Sequence, residues 1–212
     1  LSFSMNAQMS DYSSGTAATG TNAVAMGKST TASGSYSTAM GRSTEASGNY
    51  SVAMGYSTTA SGSPSTAMGW NTTASGTYAV AMGRETTASA TYSTAMGNDT
   101  TASDYASLVI GQYNSSGSSA TSASSFSTSA PAFVIGNGTD SSSKSDAFKV
   151  MFNGDTTVSN DLTVSGDVVI SSDARLKSNI VSLGSTLPKL LQIDGKSYEM
   201  KGKQKIGVLA QE

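Results

Sequence analysis

Ser51-Val52-Ala53-Met54-Gly55-Tyr56-Ser57-Thr58-Thr59-Ala60-Ser61-Gly62 decides the fold, because most of it recurs every fourteen residues. Ala-Met-Gly stands at 25–27, 39–41, 53–55, 67–69, 81–83 and 95–97, and Val109-Ile110-Gly111 is a degenerate seventh copy. A second constant element reads Thr31-Ala32-Ser33-Gly34, then Glu45-Ala46-Ser47-Gly48, and runs on to Thr101-Ala102-Ser103-Asp104. A strict short period marks a solenoid, in which each unit buries its apolar face only on its neighbours. Fourteen residues are too few for two helices and a turn. They suit one coil of a β-roll, with two short strands and two turns.

Strand alternation sorts the side chains. In Val80-Ala81-Met82 the Val and Met point to one face and the Ala to the other. The Ala columns at 25, 39, 53 and at 32, 46, 60 are expected to line a narrow interior. The Met column, Met26, Met40, Met54, Met68, Met82 and Met96, followed by Ile110, then forms an outer apolar ridge; the inverse arrangement, Met inside and Ala outside, is the alternative. Gly after each Met, and Gly34, Gly48, Gly62 and Gly76, are expected at corners with positive φ, although Ala90 and Asp104 replace the second Gly late in the array. Seven coils at about 4.8 Å give a ridge about 30 Å long. Self-association about an axis parallel to the roll would cover it.

With both constant elements in place, Ser51 to Gly62 resembles the YadA-like head repeat of trimeric autotransporter adhesins, usually written with Ile where this chain has Met. The resemblance covers about Ala17 to Gly111. It implies a left-handed parallel β-roll, three chains packed side by side as a homotrimer, and a surface-displayed adhesive head. The adhesin family's C-terminal membrane anchor is not among these residues.

Composition fits an external fibre. Charged residues are 12%, net charge is −2, and there are no Cys and no His. Disulfide frameworks, the usual zinc sites and Ser-His-Asp triads are therefore excluded, and neither a metal nor a cofactor is expected. No basic patch points to nucleic acid. No run of 18 apolar residues is present, so no membrane insertion is expected. A start at Leu1, with neither Met nor signal peptide, leads us to expect a piece of a longer, extracellular chain. Asn-x-Ser/Thr sequons at Asn49, Asn71, Asn98, Asn114 and Asn137 are expected by chance in so Ser/Thr-rich a sequence.

The expected organisation has five parts: an N-terminal edge at 1–16, the roll at 17–111, a Ser-rich linker at 112–130, a β neck at 131–171, and a chaperone part at 172–212. Charge divides the chain too. Residues 1–170 carry a net −5 and residues 171–212 a net +3. In the neck, Phe133-Val134-Ile135 and Phe148-Lys149-Val150-Met151-Phe152 flank the turn signals Asn137-Gly138 and Asn153-Gly154. Three hexads follow, from Asp155, Asp161 and Asp167. Each is expected to be a short strand plus a turn, with Val158, Val164 and Ile170 as the column buried in a trimer; a plain meander is the alternative.

Ser171-Ser172-Asp173-Ala174-Arg175-Leu176-Lys177 resembles the start of the endosialidase-type intramolecular chaperone, serine peptidase family seventy-four. The match continues through Leu187-Pro188-Lys189-Leu190-Leu191, Lys196-Ser197-Tyr198-Glu199 and Ile206-Gly207-Val208-Leu209-Ala210-Gln211-Glu212. Members continue well past this last element. The resemblance implies a small α+β chaperone that trimerises its fibre and then cuts itself off between Ser171 and Ser172, with Ser172 as nucleophile and Lys177 as base. A hydroxyl is inert until a base takes its proton. A Lys serves as base only when burial or a like charge, for which Arg175 is a candidate, lowers its pKa. The alternative is a plain helix cap at Ser172 or Asp173 with Leu176, Ile180 and Leu183 on one face.

The residue after each Ala-Met-Gly varies most: Lys28, Arg42, Tyr56, Trp70, Arg84, Asn98, Gln112. Stacked one coil apart, Arg42, Tyr56, Trp70 and Arg84 are expected to form a ladder by cation–π contact. That ladder either stabilises the roll surface or serves as an adhesive stripe for a host or prey surface glycan. A second ladder, Tyr36, Tyr50, Tyr78 and Tyr92 broken by Pro64, is read as structural. Three function classes follow: a chaperone-matured trimeric fibre, which the residues favour; an enzyme whose only activity is one self-cleavage per chain; and an ice-binding solenoid with Thr30, Thr44, Thr58, Thr72, Thr86 and Thr100 as its Thr column. A purely structural shaft without receptor binding is a further alternative.

Overall fold

The computed structural model describes residues 15–165, together with the backbone of strands at 7–9, 196–200 and 203–207. The described regular structure is all β, without a helix. Each repeat contributes one five-residue strand, such as Val52–Tyr56, and one two-residue strand, such as Thr59–Ala60. Long strands pair in parallel with long strands and short with short, always fourteen residues apart: Ala53 opposite Ala67, and Thr59 opposite Thr73. The result is a parallel β-solenoid of about seven turns. Ala7–Met9, a three-residue strand, pairs in parallel with Val24–Lys28 at the start of the long-strand sheet.

The orientation expected from alternation holds. Ala25, Ala39, Ala53, Ala67, Ala81 and Ala95 are fully buried, as are Ala32, Ala46, Ala60, Ala74, Ala88 and Ala102. The Met side chains lie on the outer face and are half-buried in the single chain. Ala does not fill the interior alone. Thr30, Thr44, Thr58, Thr72, Thr86 and Thr100 point inward and are buried, with Ser37, Ser51, Ser65 and Ser93. A lumen of methyls and small hydroxyls is a weak hydrophobic core, since burial stabilises roughly in proportion to apolar area. It also takes inside the Thr column that the ice-binding alternative would have used. The outward column beside it reads Thr31, Glu45, Thr59, Thr73, and a carboxylate interrupts it.

The glycines divide into two kinds. Gly55 has φ +123°, and an added Cβ would lie 2.0 Å from the carbonyl oxygen of Gly69 in the next coil. Gly62 was expected to need positive φ and does not. Its φ is ordinary, but a Cβ there would lie 1.9 Å from the carbonyl oxygen of Gly76. The second glycine column is therefore selected for close approach of backbones rather than for handedness. The positive φ at that corner falls two residues on, at Tyr36 (58°), Tyr50 (57°), Tyr78 (58°) and Tyr92 (60°). A four-residue turn brings it about, closed in one coil by the Ser37 amide donating to Gly34 O at 3.2 Å.

After Gln112 the regular coil is replaced by an excursion through residue 130. Its anchor is Asn114, which is fully buried. The Asn114 side chain accepts from the Thr101 amide at 2.8 Å and donates to Thr101 O at 2.9 Å, as a further short strand would. It thereby closes the open edge of the short-strand sheet. Asp104 accepts from the Thr121 and Ser122 amides at 2.6 and 2.8 Å and pins the excursion's far side.

The sheet then resumes inside the region expected to be a neck. Pro131–Asn137 pairs in parallel with Leu108–Gln112, with Val134 opposite Val109 and Ile135 opposite Ile110. Asp146–Met151 and Thr156–Val158 follow as antiparallel strands. The Asn153-Gly154 signal lies in the tight turn between those two strands, where the Gly154 amide donates to Met151 O at 2.9 Å. Of the hexads, the first supplies the strand Thr156–Val158, and residues 161–165 of the second form no strand. Val158, Leu162 and Val164 are exposed in the single chain. Ile170 lies outside the described residues. Within 164–212, a separate unit, Lys196–Met200 and Lys203–Gly207 form an antiparallel hairpin.

Candidate functional site

Two surface features of the roll carry the candidate chemistry. The first is the outer face of the long-strand sheet. Met26, Met40, Met54, Met68, Met82 and Met96 stack in register, and Ile110 and Ile135 continue the column. Two residues upstream, and so on the same face, runs a parallel column of Val24, Thr38, Val52, Thr66, Val80 and Thr94. Neither column contains a charge. Seven steps of about 4.8 Å make this face about 34 Å long.

The second feature is the ladder. Strand register places Arg42 beside Tyr56, Tyr56 beside Trp70, and Trp70 beside Arg84. The Arg42 guanidinium lies 5.4 Å from the Tyr56 ring centroid, and that of Arg84 lies 5.1 Å from the Trp70 centroid. The two rings are stacked at 6.3 Å with planes within 6°. The four side chains therefore form one closed sandwich: guanidinium, phenol, indole, guanidinium. Both ring faces are covered, and what remains open is ring edges and guanidinium N–H groups. Each cation–π contact at such an exposed site stabilises by about 0.5–1 kcal/mol. Arg84 also reaches Glu85 at 3.6 Å, an exposed ion pair of small worth.

Other elements position less. The tyrosine column forms two stacked pairs, Tyr36 with Tyr50 and Tyr78 with Tyr92. A polar cleft, invisible in the sequence because its parts come from three segments, is lined by Ser115, Ser116, Lys144, Asp146 and Lys149. Asp146 accepts there from the Ser115 and Ser116 amides, both at 2.9 Å. Among the described residues no cluster of His, Cys, Asp and Glu would hold a metal ion, and no helix is long and apolar enough to cross a membrane. Ser171, Ser172 and Lys177 lie outside the described residues.

Comparison with known families agrees with this geometry. The YadA head domain repeat, in its two-copy form, matches residues 18–44, 32–58, 46–72, 60–86 and 88–114. The chaperone of endosialidase matches residues 172–212. The chain joins a YadA-type head to an endosialidase-chaperone segment. Successive matches from 18 to 86 advance by fourteen residues, the same step as the strand register, so the family repeat and the structural coil are one unit. No curated protein and no solved structure matches the chain.

Proposed function

We propose that this chain is part of a homotrimeric, extracellular adhesive fibre, of a cell surface or of a virion tail, whose assembly is guided by its own chaperone. The observation that carries the reading is the uncharged Met face above a lumen of Ala, Thr and Ser. Such a roll buries little apolar surface alone, whereas three rolls side by side would bury their Met and Val columns against one another. The hexad side chains Val158, Val164 and Ile170 are proposed as a further column buried between the three chains. Met68→Asp is expected to break the assembly, because it places an unpaired charge in a dry contact.

Maturation is proposed to end in one self-cleavage. Lys177 takes the Ser172 hydroxyl proton, and Ser172 Oγ attacks the Ser171 carbonyl carbon. The C–N bond then breaks, and the proton passes to the departing amine. Water hydrolyses the resulting ester. Chain connectivity already holds nucleophile and carbonyl adjacent, so proximity is supplied by the backbone. Denaturing electrophoresis of the full-length gene product should give two bands, and Ser172→Ala or Lys177→Ala should give one. An intact wild-type chain that folds equally well without the residues beyond 171 contradicts both cleavage and chaperoning.

The sandwich of Arg42, Tyr56, Trp70 and Arg84 is proposed as a contact stripe for a host or prey surface glycan. Because the ring faces are covered, the recognising groups are the two outer guanidiniums, and the fitting ligand groups are acidic. Stacked guanidiniums are pre-organised for bidentate binding of carboxylate or sulfate. A glycan array comparing wild type with Arg42→Ser/Arg84→Ser tests this, and unchanged retention of acidic glycans contradicts it.

A further inference from the structure

The exposed tyrosine column has a gap in it. Tyr36 and Tyr50 stack with centroids 5.1 Å apart and planes within 2°, and Tyr78 and Tyr92 stack at 5.0 Å and 6°. These separations nearly equal the rise of about 4.8 Å between paired strands. Parallel rings this close overlap face to face, so each pair stacks along the roll. Between the pairs the column holds Pro64. Tyr50 and Tyr78 stand two coils apart, about 9.6 Å. Each turns its unstacked face toward the coil of Pro64. Tyr50 is 61% exposed, the most open ring of the column. Pro64 is half-buried, and its short ring stays near the backbone while the phenol rings stand well beyond it.

The backbone is rebuilt around this gap. Elsewhere the tyrosine amide donates to the carbonyl fifteen residues earlier, as Tyr50 does to Ser35 O and Tyr92 to Thr77 O, both at 2.8 Å. Pro64 has no N–H to give. The Ser63 hydroxyl donates to Asn49 O at 3.0 Å in its stead, and the Tyr78 amide donates to Pro64 O at 2.7 Å. Exposed Asn49 and Ser63 thus sit at the rim of a slot with two aromatic walls and a proline floor.

We infer that Tyr50, Pro64 and Tyr78 form a binding slot for a single pyranose ring of a surface glycan. Carbon atoms pack best about 3.5–4.0 Å from an aromatic wall. With the wall centroids about 9.6 Å apart along the roll, one layer of guest ring fits between them and two do not. A saturated sugar ring packs its C–H faces on the walls, and its hydroxyls meet Asn49 Nδ2 and the lone pairs of Ser63 Oγ at the rim, Asn49 Oδ1 being taken by the Ser35 amide at 3.0 Å. A proline ring has C–H faces too but no hydroxyl for those groups. The inference rests on the adhesive reading and names a ligand class for a different part of the same head.

The experiment uses the full chain. Saturation-transfer NMR is recorded with methyl β-D-glucopyranoside, methyl β-D-galactopyranoside and methyl α-D-mannopyranoside, beside a glycan array. Pro64→Tyr gives this coil the residue that positions 36, 50, 78 and 92 carry, and so fills the slot while leaving both walls. It should keep the wild-type thermal midpoint and lose at least tenfold in pyranoside response. Tyr78→Ser, which removes one wall, should lose as much, and it decides the matter should Pro64→Tyr fail to fold. The slot is overturned if wild type responds to none of the three pyranosides, if the variants bind as wild type does, or if only a proline-rich peptide occupies the site. Wild-type adherence to cells that survives Pro64→Tyr removes the slot and leaves the adhesive reading standing, whereas wild type that adheres to no cell surface removes that reading itself.

Discussion

Replacing Gly55 by Ala tests how closely the coils are stacked. Two penalties meet at this position. The backbone sits at φ +123°, and the new Cβ would lie 2.0 Å from Gly69 O and 3.0 Å from Gly69 C. The first penalty is conformational, on the order of 1–3 kcal/mol for a residue held in a Gly-only region. The second requires the facing backbones to separate by about 1 Å, which lengthens the ladder hydrogen bonds on either side. Two such bonds at about 1 kcal/mol each bring the total to about 3–5 kcal/mol. Gly154→Ala isolates the first penalty, because Gly154 has φ +92° and open space around it. It should cost about 1–3 kcal/mol. Gly62→Ala isolates the second penalty, having ordinary φ and a Cβ 1.9 Å from Gly76 O. Urea unfolding at fixed protomer concentration measures all three, since assembly makes stability concentration-dependent. If Gly55→Ala falls within about 1 kcal/mol of Gly154→Ala, the coils yield freely and the close-stacking account is wrong.

Further outcomes concern the excursion and the hairpin beyond it. Asn114→Leu keeps the volume but leaves the Thr101 amide and carbonyl unpaired, and should cost about 2–3 kcal/mol; hydrogen exchange at the Thr101 amide should quicken in step, and an unchanged rate contradicts the capping role. The Asp140 carboxyl is held below its ordinary value of 3.8, chiefly by the hydrogen bond from the Ser142 amide. A depressed folded pKa means that its contribution is present above the ordinary carboxylate value and is lost as pH falls through the lower one. The Ser142 and Ser143 amide shifts should titrate with a midpoint under 3.8, and a midpoint at or above it refutes the turn geometry.

Much of the roll was legible because strand parity is a two-state code. Ala39 and Met40 are neighbours, so one must face in and the other out, and only Ala fits a lumen this narrow. The same parity held the inward Thr column. Thr30 shares its parity with Ala32, so both point inward together, a signal available in the residues. The second glycine column carried a signal as well. Ala90 and Asp104 occupy it, and both avoid the left-handed region that Gly was expected to supply there. Val134-Ile135-Gly136 copies Val109-Ile110-Gly111 after an interruption, which is why the sheet resumes where a separate neck was expected. Asn114 was not legible, since one buried Asn in a Ser-rich stretch has no period to mark it. The ladder of Arg42, Tyr56, Trp70 and Arg84 was legible, since a fourteen-residue spacing stacks these side chains one coil apart with the cations outside the two rings.

The central claim is that the Met face is an interface between copies of this chain. The native mass in solution tests it most directly, by light scattering at micromolar protomer concentration. Three chains of 21.4 kDa predict a single folded species of about 64 kDa. A folded species of 21.4 kDa, stable on its own with Met54 and Met68 facing water, would contradict it.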